Sequence, residues 1–464
     1  LVEEFDVIVV GSGSGMIVAS NAVESGLRVA LVEKGPPLGG TCLNWGCIPS
    51  KMLIYPADVV TMIREAEKIG IKAKIEKIDF QKIMHRMRHL ISEENQGMAL
   101  GVERDPNIKW FKNIGEFVSD YTIKVGDQKI RGEKIFIVSG ARPFIPPIKG
   151  IDGVNYLTNE TVLELEELPQ SIIIIGGGYV GCEYGHFFAG MGSEVTIVEL
   201  GPRLVPGEEP EISELLQKEM GKRMKILTNH QVVEVMEKNK IKKVVAKETT
   251  SGKVKELSAE ALMVAVGRKP NSDLLKPEKT GVEVDSKGFI KVNDYLETTK
   301  KNIWAFGDAI NKQMFRHAAN YEAQVAWHNA FSDHKVPINL SATPHAVFTH
   351  PQIASVGLTE EQAKKEGRKI LVGYYHFKDT AKGSAMGNPE GFVKVIVEQN
   401  TGKILGGHII GPFAPELIQE IVNAMAYGNG SYAPIIRAMH IHPAATETVK
   451  WAFGNLRPVG GDSI

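Results

Sequence analysis

The chain has 464 residues, 43% hydrophobic and 23% charged. That composition is typical of globular domains with real cores, and the length suits about two to four of them. Its 54 Lys and Arg against 55 Asp and Glu leave a formal net charge of −1, which excludes the global field of a protein built for nucleic acid or an anionic membrane. Three cysteines exclude an extracellular disulfide framework and no apolar run is long enough to span a bilayer, so the expected setting is cytoplasmic.

In chain order, Phe5-Asp6-Val7-Ile8-Val9-Val10 predicts a buried strand that begins almost at once, with no secretory-type segment before it. It runs into Gly11-Ser12-Gly13-Ser14-Gly15-Met16. Gly11 and Gly13 fit a dinucleotide-binding fingerprint, one for the tight turn and one for close approach to a pyrophosphate. Met16 takes the third position in place of Gly or Ala, which puts the usual close packing of helix on strand in doubt, with Gly15 beside it as partial compensation. A helix from about Met16 to Ser25 and a second strand, Arg28–Val32, follow. The strand ends in Glu33, an acid suited to an adenosine ribose hydroxyl.

Next comes Gly39-Gly40-Thr41-Cys42-Leu43-Asn44-Trp45-Gly46-Cys47-Ile48-Pro49-Ser50-Lys51, with two of the three cysteines. Five steps of a regular helix rise about 7.5 Å, whereas a disulfide needs Cα atoms within roughly 7 Å. Cys42 is therefore expected before a helix that starts near Cys47, or in a distorted first turn. Pro49 fits such a first turn. The helix start directs free N–H groups and a positive dipole end at the sulfurs and favours thiolate. Two thiols on a glycine-rich bend beside a redox nucleotide site point to two-electron exchange with a disulfide.

A second, cleaner fingerprint follows. The apolar run Ser171–Ile175 feeds Gly176-Gly177-Gly178-Tyr179-Val180-Gly181, a complete match through Gly176, Gly178 and Gly181, and the strand Glu194–Val198 ends in Glu199. A carboxylate there accepts from a ribose 2′-OH and repels a 2′-phosphate, favouring NAD over NADP, with Arg203 nearby softening the preference. Two fingerprints imply two nucleotides, a tightly held flavin and a nicotinamide. Boundary signals at Val138–Pro147, Leu168-Pro169 and Val264–Asn271 divide the chain into a FAD-binding domain (1–150) and an NAD(P)-binding domain (151–270). A central block (271–340) contains the strand Ile303–Ala305 and the Gly307-Asp308 turn, and completes the first domain. From 341 to 464 the pattern changes to a separate α+β domain.

Near the C-terminus stands His440-Ile441-His442-Pro443-Ala444-Ala445-Thr446-Glu447. Thiol–disulfide exchange needs a proton carrier that works near neutral pH, which suits histidine. His442 is preferred to His440 because Pro443 restrains the backbone after it and Glu447 lies one helical turn further on, placed to orient the ring.

The cysteine motif, the second glycine motif, the Gly307-Asp308 turn and the His442–Glu447 pair occur in the order found in the class I pyridine nucleotide–disulfide oxidoreductases, which the chain resembles over essentially its whole length. The resemblance implies an α/β fold of two Rossmann-like domains, for FAD and NAD(P), plus a C-terminal α+β dimerisation domain, and a homodimer with active sites built across the two-fold axis. It implies Cys47 as the thiol against the flavin and Cys42 as the one that exchanges with substrate. His442, oriented by Glu447, acts on the partner subunit's thiols. Lys51 lies near the flavin and pairs with Glu183, Asp308 binds the ribityl chain, and Glu33 the FAD ribose. Gly140 and Gly267, which close the first two blocks, complete the cofactor-binding set. Cys182 matches no redox position and is expected to be a packed residue. Within the family, Glu199 points to dihydrolipoamide oxidation with NAD, on a small or lipoyl-linked dithiol. A reductase of another small disulfide, of the mycothione or glutathione reductase kind, is the alternative. The stretch 459–464 carries no cysteine pair, which disfavours mercuric ion reduction. No metal site is expected.

Overall fold

A computed structural model describes residues 1–35 and 37–459. Residues 460–464, part of the cysteine-free stretch noted above, lie outside the described residues. The chain opens with strand β1 (Val2–Val10), helix α1 (Gly15–Glu24) and strand β2 (Val29–Val32). Two helices carry the cysteines, α2 (Gly40–Asn44) and α3 (Cys47–Glu65). Helix α4 (Phe80–Arg104) leads to β3 (Ile108–Phe111), β4 (Gly115–Ser119), β5 (Thr122–Val125), β6 (Gln128–Ile137) and β7 (Ala141–Pro143).

The first sheet has the order β3-β2-β1-β6-β5-β4, and the later strand Ile303–Ala305 also pairs with β6. The pairs β2–β3, β1–β2, β1–β6 and that late strand with β6 are parallel. Val7, Ile8 and Val9 are fully buried, as a strand covered on both faces requires. The register aligns the strand ends: Val10 stands beside Val32 on one side and Ile137 on the other, and Ile137 beside Ala305. The residues just beyond these ends therefore share one edge, and it is the edge where strand order reverses and open α/β sheets bind ligands.

The second unit repeats this plan with β8 (Ser171–Ile175), α5 (Tyr179–Met191), β9 (Glu194–Val198), α6 (Pro210–Met220), β10 (Lys225–Leu227) and, after a three-stranded antiparallel sheet formed by β11 (His230–Lys238), β12 (Ile241–Glu248) and β13 (Val254–Ala259), β14 (Ala261–Val264). Its parallel sheet runs β10-β9-β8-β14, with Ile175 beside both Val198 and Val264. Strand β15 (Arg268–Pro270) returns to pair with β7. The chain then passes a short helix α7 (Ser272–Leu275), the strand β16 (Ile303–Ala305) and helix α8 (Arg316–Phe331).

The last unit is a six-stranded antiparallel sheet that begins at Pro344–Val347 and ends at Arg457–Pro458, with helix Ala414–Ala426 packed on it. A buried ion cluster ties it to the second unit. Lys394, 1% exposed, lies 2.9 Å from Glu209, 3.1 Å from Glu211 and 2.8 Å from Glu360. Its ammonium is the cation among three carboxylates that would otherwise suit a metal ion. Among the described residues, no helix is long and apolar enough to cross a membrane.

Candidate functional site

The first glycine loop leaves β1 at Gly11, whose φ of 110° and whose position, where a Cβ would stand 2.2 Å from the Val138 carbonyl oxygen, admit only glycine. The close packing of helix on strand that Met16 put in doubt is present, supplied one residue earlier: a Cβ on Gly15 would stand 2.8 Å from Val9 Cγ1. Met16 itself packs at the rim of the core. Glu33, at the end of β2, reaches back over the loop. Its Oε2 accepts from Ser12 N at 3.1 Å and Ser12 Oγ at 3.0 Å.

The cysteine turn is seated directly on this loop. A Cβ on Gly40 would lie 2.7 Å from Gly13 Cα, and Gly39 N donates to Ser12 Oγ at 3.0 Å. Asn44, buried, locks the turn by donating to the Leu38 and Gly40 carbonyls at 2.8 and 2.9 Å. Cys42 sits in its own short helix, and the break at Trp45-Gly46 lets α3 start afresh at Cys47. Gly46 permits the approach, since a Cβ there would meet Thr41 O at 3.0 Å and Cys42 Cα at 3.5 Å. Pro49 falls in the first turn of α3.

Both thiols are free, and they share one proton unequally. The Cys42 S–H donates to Cys47, and Lys51, the Cys47 backbone N–H and Arg316 add to this, drawing Cys47 down to about 7 despite partial desolvation. Cys42, holding that proton and half-buried, is pushed well above the ordinary thiol range. Cys182 accepts no part in this: fully buried on α5, its Sγ donates to Gly177 O at 3.3 Å, and burial pushes its thiol up.

Helices α3 and α5 cross where Gly190 meets Ala57, a Cβ on the glycine falling 2.6 Å from Ala57 Cβ. The crossing places Lys51 Nζ 2.8 Å from Glu183 Oε2 and 4.5 Å from the centroid of the Phe348 ring. Glu183 Oε1 also accepts from Phe348 N at 2.9 Å. From the end of β16, Asp308 lies 3.3 Å from Arg268 Nε, while burial raises its carboxyl. Beneath it Glu322, 0% exposed, accepts from Gly307 N at 2.6 Å and is pushed up to about 7 by burial; its Oε1 has no partner. Gly140, beyond β6, has a φ of 65°, and a Cβ on it would meet nothing within 4 Å.

The second loop is built alike. Gly176 has a φ of 109°, and a Cβ there would stand 2.3 Å from Ala265 O; a Cβ on Gly181 would strike Gly176 O at 2.0 Å. Glu199 accepts from Gly177 N at 2.5 Å and from Gly201 N at 2.6 Å. At Gly178 and Gly267 an added Cβ would meet nothing within 4 Å. Both strand-end clefts thus have what a dinucleotide needs: N–H groups of a helix start, a glycine with open space beside it (Gly140 at the first, Gly178 and Gly267 at the second), and an acid at the end of the neighbouring strand.

The histidines separate clearly. His440 is 7% exposed and bound to Glu420 at 2.8 Å. His442 is 72% exposed, with Nδ1 at 2.9 Å from Glu447 Oε1. Glu447 Oε2 accepts from Ala444 N at 3.0 Å, and this bond, with His442, holds the carboxyl below the usual carboxylate range. Among the described residues no hydrogen bond or ion pair joins His442 or Glu447 to the cysteine turn. Sequence reasoning missed Ser12, Asn44, Arg268, Arg316 and Glu322. Ser12, inside the first glycine loop, and Asn44, inside the cysteine motif, carried a local signal; Arg268, Arg316 and Glu322 are drawn in from distant segments.

Comparison with known proteins agrees with this construction. The pyridine nucleotide-disulphide oxidoreductase family matches residues 5–370, and that family's dimerisation domain matches residues 343–453. The chain is 35% identical to mycothione reductase of Mycobacterium tuberculosis over 98% of its own length and 100% of that protein's. It is 34% identical to mitochondrial dihydrolipoyl dehydrogenase 1 of Arabidopsis thaliana over 97% of its length and 90% of the other. Among solved structures, the Cu(II) complex of the HOCl-induced flavoprotein disulfide reductase RclA from Escherichia coli superposes with a TM-score of 0.87 at 28% identity, covering 97% of this chain and 99% of that one. The chain belongs to the pyridine nucleotide-disulphide oxidoreductase family, flavoenzymes that work with FAD and NAD(P).

Proposed function

We propose that Cys42 and Cys47 form the redox pair of a dithiol–disulfide oxidoreductase, and that the reaction is oxidation of dihydrolipoamide or a lipoyl-linked dithiol with NAD+. One observation carries the redox reading: the cysteine turn rests on the first glycine loop, Gly40 against Gly13, so a nucleotide held by that loop lies beside two thiols. Bound there, FAD supplies two-electron exchange between nicotinamide and sulfur. Gly11, Gly13, Gly15, Glu33, Gly140, Lys51 and Asp308 hold it in this reading, and Gly176, Gly178, Gly181, Glu183, Glu199 and Gly267 line the nicotinamide side.

Within the pair, Cys47 carries the negative charge and Cys42 keeps the proton. In the direction of disulfide reduction Cys42 therefore needs a base before it attacks; in dihydrolipoamide oxidation the substrate thiol needs the same base before it attacks Cys42, and in both directions the leaving sulfur needs a proton donor. His442 is the candidate. Glu447 accepts at Nδ1, which leaves Nε2 of an exposed ring free to take and return a proton. A second copy brings this ring to the thiols, in keeping with the matched dimerisation domain, so the working unit is a homodimer.

Glu199 supports NAD. It is pinned at the end of β9 by two N–H groups, where a 2′-phosphate would meet a fixed negative charge, while Arg203 is turned to the Pro206 carbonyl. A second reading, an NAD(P)H-dependent reductase of another low-molecular-weight disulfide, draws on the 35% identity to mycothione reductase. A turnover panel of lipoamide, glutathione disulfide and other small disulfides against NADH and NADPH separates the two. Preference for lipoamide with NADH supports the first, and preference for NADPH with another disulfide replaces it by the second.

A further inference from the structure

Helix α3 brings Cys47 and Lys51, and α5 brings Glu183 against Lys51. Gly190 on Ala57 lets the two helices come close, but a contact of two small residues resists sliding little. The Lys51–Glu183 bond adds direction, yet Lys51 is 35% exposed, and a half-wet ion pair is a weak constraint. A stronger one lies deeper. One turn after Glu183, His186 is fully buried, and its Nε2 lies 2.8 Å from Asp58 Oδ1, two turns along α3 from Lys51. Arg223, which follows α6, sets its Nη1 2.9 Å from His186 Nδ1. A guanidinium only donates, so Nδ1 accepts and the ring proton sits on Nε2, donating to Asp58. The ring is neutral between a cation and an anion, in keeping with burial, which holds it below the ordinary histidine range. Arg223 also donates from Nη2 to the His350 carbonyl at 2.6 Å. The His350 ring stacks on that of His186, centroids 6.3 Å apart, and faces Glu65 of α3 at 3.4 Å. Phe348, two residues earlier, holds Glu183 through its N–H and lies over Lys51.

We propose that His186 is a positioning residue for the redox pair: the buried relay Asp58–His186–Arg223 sets the register of α3 against α5 and the segment 347–351, and so places Lys51 and Cys47. The inference rests on the reading of Cys42–Cys47 as the redox disulfide. Three units of the fold meet at this relay, α3 from the first, α5 and Arg223 from the second and His350 from the last. These are the same units that supply Lys51, Glu183 and Phe348. Hydrogen bonds are directional, and inside a protein a bond to a charged group is stronger than the same bond in water. Removing the imidazole strands a carboxylate and a guanidinium at the junction, and α3 is then free to shift along α5. Such a shift is felt at Cys47 because helix α3 runs unbroken from Cys47 through Asp58 to Glu65.

The test follows the long-wavelength thiolate–flavin band in stopped-flow as holoenzyme is reduced anaerobically with NADH, for wild type, His186→Leu, His186→Gln and Asp58→Ala, beside the Tm of each. In His186→Leu and Asp58→Ala the band forms about tenfold more slowly, within the cost of a sub-ångström misplacement, and is weaker per flavin. His186→Gln returns most of the way, because its amide carries the same acceptor and donor side by side. Asp58, 21% exposed, is the milder cut, so if His186→Leu fails to retain FAD, Asp58→Ala decides. A lower Tm with wild-type band formation and height overturns the inference and leaves His186 a stability residue. So does a His186→Gln variant as slow as His186→Leu, which assigns the effect to packing. A wild type with no band at all overturns the redox reading itself, and the inference falls with it.

Discussion

The two glycine loops start from one design and end differently. At both, the first glycine has nearly the same φ, 110° and 109°, and a Cβ on it would stand 2.2 or 2.3 Å from a backbone carbonyl oxygen. At both, the acid ending the next strand bonds the N–H of the loop's second residue, Ser12 or Gly177. What differs is the cover. The first loop is overlaid by the cysteine turn through Gly40 and Gly39, whereas the second leaves Gly178 facing open space. A loop enclosed by the rest of the fold holds its nucleotide as a structural part; an open loop lets one enter and leave. A flavoenzyme that keeps FAD and exchanges NAD(P) needs that division.

The largest effect should come from cutting the two halves of the reaction apart. His442→Ala is expected to slow disulfide turnover by about 10²–10⁴-fold while flavin reduction by nicotinamide, served by the open loop, stays near wild type in stopped-flow. His440→Ala, whose ring is bound to Glu420, should leave the chemical step far less affected, and the reverse order would exchange the roles of the two histidines. Next come the loops themselves. Gly11→Ala forces a side chain onto the Val138 carbonyl at positive φ and should cost about 2–5 kcal/mol of stability, with loss of FAD on gel filtration. Gly178→Ala should keep fold and FAD and raise only the KM for the nicotinamide. Equal behaviour of the two variants would erase the distinction between enclosed and open loops. A smaller change is expected at Glu199→Ala, which should lower the ratio of kcat/KM for NADH over NADPH by about tenfold; an unchanged ratio removes Glu199 from cofactor choice.

Much of this was legible because each nucleotide unit is local. The apolar runs Phe5–Val10 and Ser171–Ile175 are buried parallel strands, and the glycines and acids that follow them in sequence follow them in space. The cysteine spacing alone predicts Cys42 before a helix that starts near Cys47, and α3 does start there; that Cys42 sits in a short helix of its own, ended at Trp45-Gly46, was not in the spacing. What stayed hidden depends on meeting rather than on pattern. Met16 read as a defect because the template expects glycine there, yet Gly15 makes the same approach to Val9 one position earlier. Arg268 reaches Thr41 at 3.3 Å across 227 residues, and Arg316 reaches the Gly13 turn from the start of α8. No periodicity marks such cations, whose role comes from the register that sets Val10, Ile137 and Ala305 side by side.

The account stands on two sulfurs exchanging electrons beside the first nucleotide, and anaerobic two-electron reduction of the holoenzyme tests it most directly. A long-wavelength thiolate–flavin band should appear, fade as the pH falls through about 7, where Cys47 takes up its proton, and be absent from Cys47→Ser. A holoenzyme that shows no such band, or a Cys47→Ser variant that keeps it, would contradict the account.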